Sequence, residues 1–183
     1  KDCVDTTKYT ARTAVEAMRA LESFRAALRR AFGCIFCGWR MMFDRNGVMA
    51  ISRKEFFKKC NNELCWCGDL TSLWLSVDPD ECGTATVDKI APHECRMLAQ
   101  FKAWMDAKFG DSATLVNAFR AVHSMKHKLR TAKLSLSQWL EACESLHCPC
   151  DAEEVYDLLD WKCQESLTYA DMKFLDTWAV TSE

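Results

Sequence analysis

Glycine and proline are scarce in this chain, at 6 and 3 of 183 residues. Irregular structure leans on both, so long structureless loops are excluded. No apolar run approaches the roughly 20 residues that a membrane-spanning helix needs, which excludes a transmembrane segment. No secretory-signal pattern opens the chain either. An excess of charge is also missing: 24 Lys and Arg stand against 26 Asp and Glu, for a net charge of −2. The basic residues are spread out except in one loop, which argues against a nucleic-acid partner. Histidine is down to four residues, His93, His123, His127 and His147. His123 and His127 have no carboxylate close by in sequence, and His147 and Cys148, adjacent in the chain, are not expected to face each other. No glycine-rich phosphate loop occurs. With no catalytic constellation in view, the sequence does not read as an enzyme.

What is present is material for a core. Hydrophobic residues make up 49% of the chain, with 7 Trp and 10 Phe among them, enough for a well-buried body or two lobes. The chain also repeats itself. Phe24-Arg-Ala-Ala-Leu-Arg-Arg-Ala-Phe-Gly33 matches Phe101-Lys-Ala-Trp-Met-Asp-Ala-Lys-Phe-Gly110, and Cys60-Asn-Asn-Glu-Leu-Cys65-Trp-Cys67 matches Cys143-Glu-Ser-Leu-His-Cys148-Pro-Cys150. Two copies of one module follow from that. A long helix is predicted from about Pro92 to Phe109, because Cys95, Leu98, Phe101, Met105 and Phe109 recur at intervals of three and four. It is expected to end one module and open the next. The stretch Thr13 to Phe32, with Val15, Met18, Leu21, Phe24 and Leu28 on one side, holds the equivalent place in the first module. It looks like the exit helix of a preceding unit. That, and the start at Lys1, lead us to expect a processed chain or a piece of a longer one, a cloning boundary being the plainer alternative.

Four segments carry the spacing of a twelve-residue calcium loop, with side-chain oxygens at positions 1, 3, 5 and 9, glycine at 6 and a bidentate carboxylate at 12. The first runs from Asp44 to Glu55 and keeps Asp44, Asn46, Ser52 and Glu55, with Ile51 at the apolar eighth position. Val48 removes a ligand at position 5. Met49 replaces the glycine that tolerates positive φ, so strain is expected there. The second, Asp78 to Lys89, keeps Asp78, Asp80, Gly83 and Thr86, but Cys82 stands at position 5 and Lys89 at position 12. An ammonium in place of the bidentate carboxylate repels a metal at close range. The third is stretched to sixteen residues, His123 to Gln138, and holds Lys126, Lys128, Arg130 and Lys133 with no carboxylate; it reads as a solvated turn rather than a phosphate site. The fourth, Asp160 to Asp171, has Lys162 at position 3 and Glu165 in the glycine slot, leaving Asp160, Gln164, Thr168 and Asp171.

On these four loops and the helical spacing around them, the chain resembles the EF-hand superfamily, as a calmodulin-like set of four mostly degenerate hands. The resemblance implies an all-α fold: two tandem pairs of helix-loop-helix hands with short β-bridges between paired loops. It divides the chain into an N-terminal helix over residues 1–33, a first pair over 34–91, a linking helix over 92–110 and a second pair over 111–183. It also implies that the eighth-position residues bridge, Ile51 with Ala85 and Leu134 with Leu167. What survives in every hand is the apolar frame: Phe43, Ile51 and Phe56; Trp74, Val77, Ala85 and Ile90; Phe119, Val122, Leu134 and Trp139; Tyr156, Leu159, Leu167 and Phe174. Fold kept and metal chemistry relaxed is the reading. Calcium is expected to bind weakly or not at all, the first loop being its best candidate site and the second next; no other cofactor is expected.

The twelve cysteines are not explained by that resemblance. Six of them, Cys60, Cys65, Cys67, Cys143, Cys148 and Cys150, fall in the repeated Cys-x4-Cys-x-Cys at the turn between two hands, and an even total permits complete pairing. Three readings compete. Short disulfides pinning each turn would imply an oxidising compartment and contribute about 2 kcal/mol each. Alternatively the thiols are reduced and buried as small apolar side chains. In the third, Cys34 and Cys37 join Cys65 and Cys67 around a structural zinc, although the second module has no counterpart to the first pair.

The functional expectation is a non-catalytic interaction or structural protein, largely calcium-independent, a subunit or segment of a larger assembly. In the family, paired hands offer an apolar groove to a partner helix, and calcium controls its opening. Eight methionines, Met18, Met41, Met42, Met49, Met97, Met105, Met125 and Met172, suit an adaptable groove, though Met at helical spacing is more often core. Two alternatives are a weak calcium sensor or buffer using the first loop and the second, and a cysteine-based redox or zinc module.

Overall fold

The computed structural model describes residues 6–123 and 133–180, with side chains from Thr13 onward. The described chain is mostly helical: α1 Thr6–Phe32, α2 Ile35–Met42, β1 Ala50–Ser52, α3 Arg53–Asn62, α4 Leu70–Val77, β2 Thr84–Thr86, α5 Val87–Ile90, α6 Pro92–Lys108, α7 Ser112–Val122, α8 Leu136–Ser145, α9 Ala152–Leu159, α10 Tyr169–Met172 and α11 Phe174–Thr177. It divides into two compact units, Lys1–Arg45 with Met49–Pro92, and Asn46–Val48 with His93–Glu183. The long helix expected to serve both modules therefore belongs, from His93 on, to the second. Lys126, Lys128, Arg130, His127 and Met125 lie outside the described residues.

Polar side chains set where helices begin. The orphan amides of a first turn need an acceptor, and Ser52, Asp69, Asp111, Ser135 and Asp151 each supply one to the helix that follows. Ser135 and Gln138 complete a reciprocal box at the start of α8. The two repeat-matched glycines end α1 and α6. Gly33 and Gly110 take φ of 81° and 84°, the left-handed conformation that closes a helix at little cost only without a Cβ. Their amides return to Arg29 O at 2.9 Å and to Met105 O at 3.2 Å.

In the first unit β1 and β2 pair antiparallel with Ile51 opposite Ala85. In the second the pairing shrinks to one bridge, Leu134 with Leu167, closed by two hydrogen bonds of 2.8 Å. Both bridges fall at the eighth-position residues named from the sequence.

Aromatic rings fill each unit around the repeat-matched phenylalanine. Phe24 of α1 is fully buried and lies 6.0 Å from Phe43, 5.5 Å from Phe56 and 5.5 Å from Trp66 by ring centroids. Phe101 of α6, its counterpart, is equally buried and sits 5.6 Å from Trp139, which in turn meets Phe119 at 4.9 Å and Tyr156 at 6.2 Å. Each module's leading helix is thus seated in the apolar interior of its own unit. Gly38 in α2 lets α1 come close: a Cβ there would meet Phe32 at 2.8 Å and Leu28 at 3.1 Å.

One expectation about α1 is revised. Val15 and Met18 do not share its buried face; they are 48% and 66% exposed, and the stripe that packs runs through Ala17, Leu21, Phe24 and Leu28. Those four recur at four, three and four, a continuous line on a helix that Val15 and Met18 lie off. Met42, Met49, Met105 and Met172 are core residues, which takes them away from any docking surface.

Truncating a fully buried ring removes transfer energy and leaves a cavity. Phe24→Ala should lower the stability of the first unit by about 3–5 kcal/mol in urea unfolding followed by tryptophan fluorescence, whereas Met18→Ala should stay within about 0.5 kcal/mol of wild type. Equal losses would contradict the seating of α1.

Candidate functional site

The four loops were the sequence's candidates, and three can be followed from end to end. In the first, Asp44 is buried beneath the end of α2. Its Oδ2 accepts the Met49 amide at 2.8 Å and Arg40 Nη1 at 3.0 Å. Arg40 stands four residues earlier on the helix and is itself buried, so the carboxylate is neutralised within the chain. Asn46 and Glu55 are exposed, and the Ser52 hydroxyl accepts the Glu55 amide as the cap of α3.

Asp78 opens the second loop in the same manner. Its carboxylate accepts the amides of Cys82 and Gly83, both at 2.9 Å, the Cys82 thiol at 2.9 Å and Trp74 Nε1 at 3.1 Å. The Cys82 thiol, ahead of the backbone donors and Trp74, holds the Asp78 carboxyl below the usual carboxylate range. Asp80 is exposed and Thr86 is paired in β2 opposite Ala50. Lys89 O accepts from Arg25 of α1 at 3.2 Å.

In the fourth loop Asp160 accepts the amides of Gln164 and Glu165 at 2.9 and 2.7 Å. Lys162, which the sequence marked only as a lost ligand, extends its ammonium to Asp171 at 3.0 Å. Asp171 also accepts from the Thr168 amide at 2.9 Å and hydroxyl at 2.6 Å. The chain's own cation and donors therefore occupy the last carboxylate of this loop. Of the third loop, His123 rests its Nε2 on Gln138 O at 2.7 Å and its Nδ1 3.4 Å from Glu141, and Lys133 is exposed.

The sixth position turns left-handed in all three loops whatever stands there: Met49 has φ 65°, Gly83 φ 78° and Glu165 φ 52°. The strain expected at Met49 recurs at Glu165, and the carboxylate at position 1 caps the amide of that sixth residue each time. Among the described residues no group of three or more His, Cys, Asp or Glu side chains stands ready to ligate a metal ion.

The cysteines divide among the readings the sequence left open: Cys60, Cys95 and Cys143 are free and buried as the second reading has them, and the rest differ. Cys34 and Cys37 form a disulfide, with Cα atoms 5.3 Å apart, and the Cys34 sulfur caps α2 by accepting the Cys37 amide at 2.9 Å. That bond removes both from a four-sulfur zinc set. Cys60, Cys65, Cys67, Cys143, Cys148 and Cys150 are free thiols, so no disulfide pins either turn. Cys60 and Cys143 are buried, while Cys65 and Cys67 are exposed. Burial pushes the Cys60 thiol up to about 12.

In the second unit the three thiols of the repeat gather. Cys148 accepts from the Cys143 thiol and from the amide and thiol of Cys150, with the Lys108 ammonium near; these hold its thiol down at about 6. Cys143 is raised, first because its proton is shared with Cys148 and then by burial. Cys150 is raised by burial to about 11. Arg40 and Lys108 are the residues sequence reasoning passed over. Arg40 had a signal, four residues before Asp44 on a helix; Lys108 lies forty residues from Cys148 in sequence and had none.

Comparison with family models, curated proteins and solved structures finds no match to this chain.

Left-handed backbone costs a residue with a Cβ roughly 1 kcal/mol, part of which glycine gives back as freedom in the unfolded chain. Glu165 is exposed, so its side chain adds little. Glu165→Gly should therefore exceed Glu165→Ala in stability by up to about 1 kcal/mol by chemical denaturation; the reverse order would place that turn elsewhere in φ.

Proposed function

We propose that this chain is a calcium-independent relative of the EF-hand superfamily, non-catalytic, acting as a structural or interaction subunit of a larger assembly. The observation that carries the reading is that the loop carboxylates are engaged by groups of the chain itself. Asp44, Asp78 and Asp160 are engaged by amides of their own loops, and Asp44 and Asp171 by Arg40 and Lys162. A calcium ion needs six to eight oxygens around it. A cation in the first loop would have to displace the buried Arg40 and recruit the exposed Asn46 and Glu55, and one in the fourth would have to displace Lys162. That donor set does not fit calcium. The paired eighth-position residues and the left-handed sixth position support descent from such loops.

The groove that the resemblance offers to a partner helix is taken by the chain itself in this reading. Phe24 and Phe101 fill the two interiors with rings that a partner's anchor would otherwise supply. Each lobe is therefore built shut, and an assembly partner meets its outer surface instead. Support for a non-catalytic role comes from the histidines: His93 is exposed beside Glu154 at 3.3 Å, and His123 is held by a backbone carbonyl. Neither arrangement activates a nucleophile.

Thermal unfolding of the full chain tests this. A ligand present at a hundred times its dissociation constant adds about 2.7 kcal/mol, and at this length each kcal/mol moves Tm by roughly 2–4 °C. Millimolar calcium should leave Tm within about 1 °C of its value in chelator. A rise of roughly 5–10 °C would restore the sensor reading.

A further inference from the structure

The two copies of Cys-x4-Cys-x-Cys do not end their helices alike, and the difference decides what their sulfurs can do. In the first unit Cys65 itself takes the left-handed turn, φ 49°, and the amide returning to Cys60 O is that of Trp66, at 3.1 Å. Cys65 is exposed. In the second unit the left-handed residue is His147, φ 53°, and the amide returning to Cys143 O, at 2.8 Å, belongs to Cys148. Moving the turn by one residue brings Cys148 back over Cys143. The backbones of the two cysteines are then joined, and the Cys143 thiol, with the amide and thiol of Cys150, holds the Cys148 thiol down. Lys108, near the end of α6, donates its ammonium to Leu146 O, which keeps a positive charge beside the turn. Cys143 is buried and Cys148 half-buried, so Cys148 is the more accessible residue of the pair.

We propose that this turn is a thiol–disulfide exchange site for small disulfides, in which Cys148 attacks and Cys143 resolves. A thiolate is the nucleophile in such exchange, and donors and a nearby cation favour it. Cys148 Sγ attacks one sulfur of a disulfide RSSR, the S–S bond breaks, and RS⁻ leaves and takes up the proton that Cys148 has lost. Cys148 is then a neutral mixed disulfide, so it no longer holds the Cys143 proton in place. Cys143 gives up that proton and attacks Cys148 Sγ, forming Cys143–Cys148 and expelling the second RS⁻, which takes the proton. Two protein thiols are oxidised by two electrons and one RSSR is reduced to two RSH. The site is independent of the loops and stands or falls apart from the calcium reading.

The test uses the full chain, oxidised glutathione and a limiting alkylating agent, read by peptide mass spectrometry. At pH 6.5 Cys148 should alkylate roughly tenfold faster than Cys65, a gain in thiolate fraction partly offset by lower intrinsic nucleophilicity. With oxidised glutathione, wild type should end with a Cys143–Cys148 disulfide and no glutathione retained on Cys148. Cys143→Ser should hold glutathione on Cys148. Should Cys143→Ser fail to give a native far-ultraviolet spectrum, Cys148→Ser serves instead and should lose the disulfide while Cys65→Ser keeps it. Alkylation of Cys148 no faster than that of Cys65, glutathione retained on Cys148 of wild type, or its release from Cys143→Ser through Cys150 would overturn the proposal.

Discussion

A carboxylate removed from bulk water has to be supplied with hydrogen-bond donors or with charge of the other sign. Asp44, Asp78 and Asp160 meet that demand alike, drawing in the amide of the residue five positions on and, for two of them, the amide before it. This clasp fixes the sixth residue in the left-handed region, and the chain is then aimed into the eighth-position bridge: Ile51 to Ala85 in one unit and Leu167 to Leu134 in the other. Where extra charge is needed, the chain brings it: a buried arginine at Asp44, a lysine at Asp171. A buried pair of this kind is weak evidence of net stability but costly to break, because removing one partner strands the other.

The clasps position the helices and the aromatic interiors hold them. Phe56 of α3 sits 5.6 Å from Trp74 of α4, and both units close on the phenylalanine of a leading helix. Since Phe24 and Phe101 occupy matched places in the internal repeat, the self-filled interior is a property of the module itself. In the proposed function this is why ligand loss need not unfold the chain: cohesion rests on ring contacts and internal polar bonds.

The repeat, the helical stripes and the bridged positions were legible in the sequence because each depends on residues a few positions apart or on matched spacing. Leu98, Phe101 and Met105 are buried as their periodicity indicated. The stripe on α1 was read one step out of phase at Val15 and Met18, since apolar residues on both sides of a helix leave its phase undetermined until a neighbour is known. Asp44, Asp78 and Asp160 were read as surviving metal-ligand positions, and their partners within the chain were not foreseen. Lys162 looked like damage, and only the fold brings it against Asp171 nine residues on. The thiol grouping was illegible for a sharper reason: identical spacing in Cys60-Cys65-Cys67 and Cys143-Cys148-Cys150 hides a one-residue shift of the helix cap, and no local pattern records which residue will turn left-handed.

The central claim is that the loop amides are already spent on the loop carboxylates. Backbone amide NMR of the full chain, with and without millimolar calcium, tests it most directly at Met49, Gly83 and Glu165. The account predicts slow hydrogen exchange at all three and the same chemical shifts in both conditions. Fast exchange at these amides, or shifts that saturate with added calcium, would contradict it.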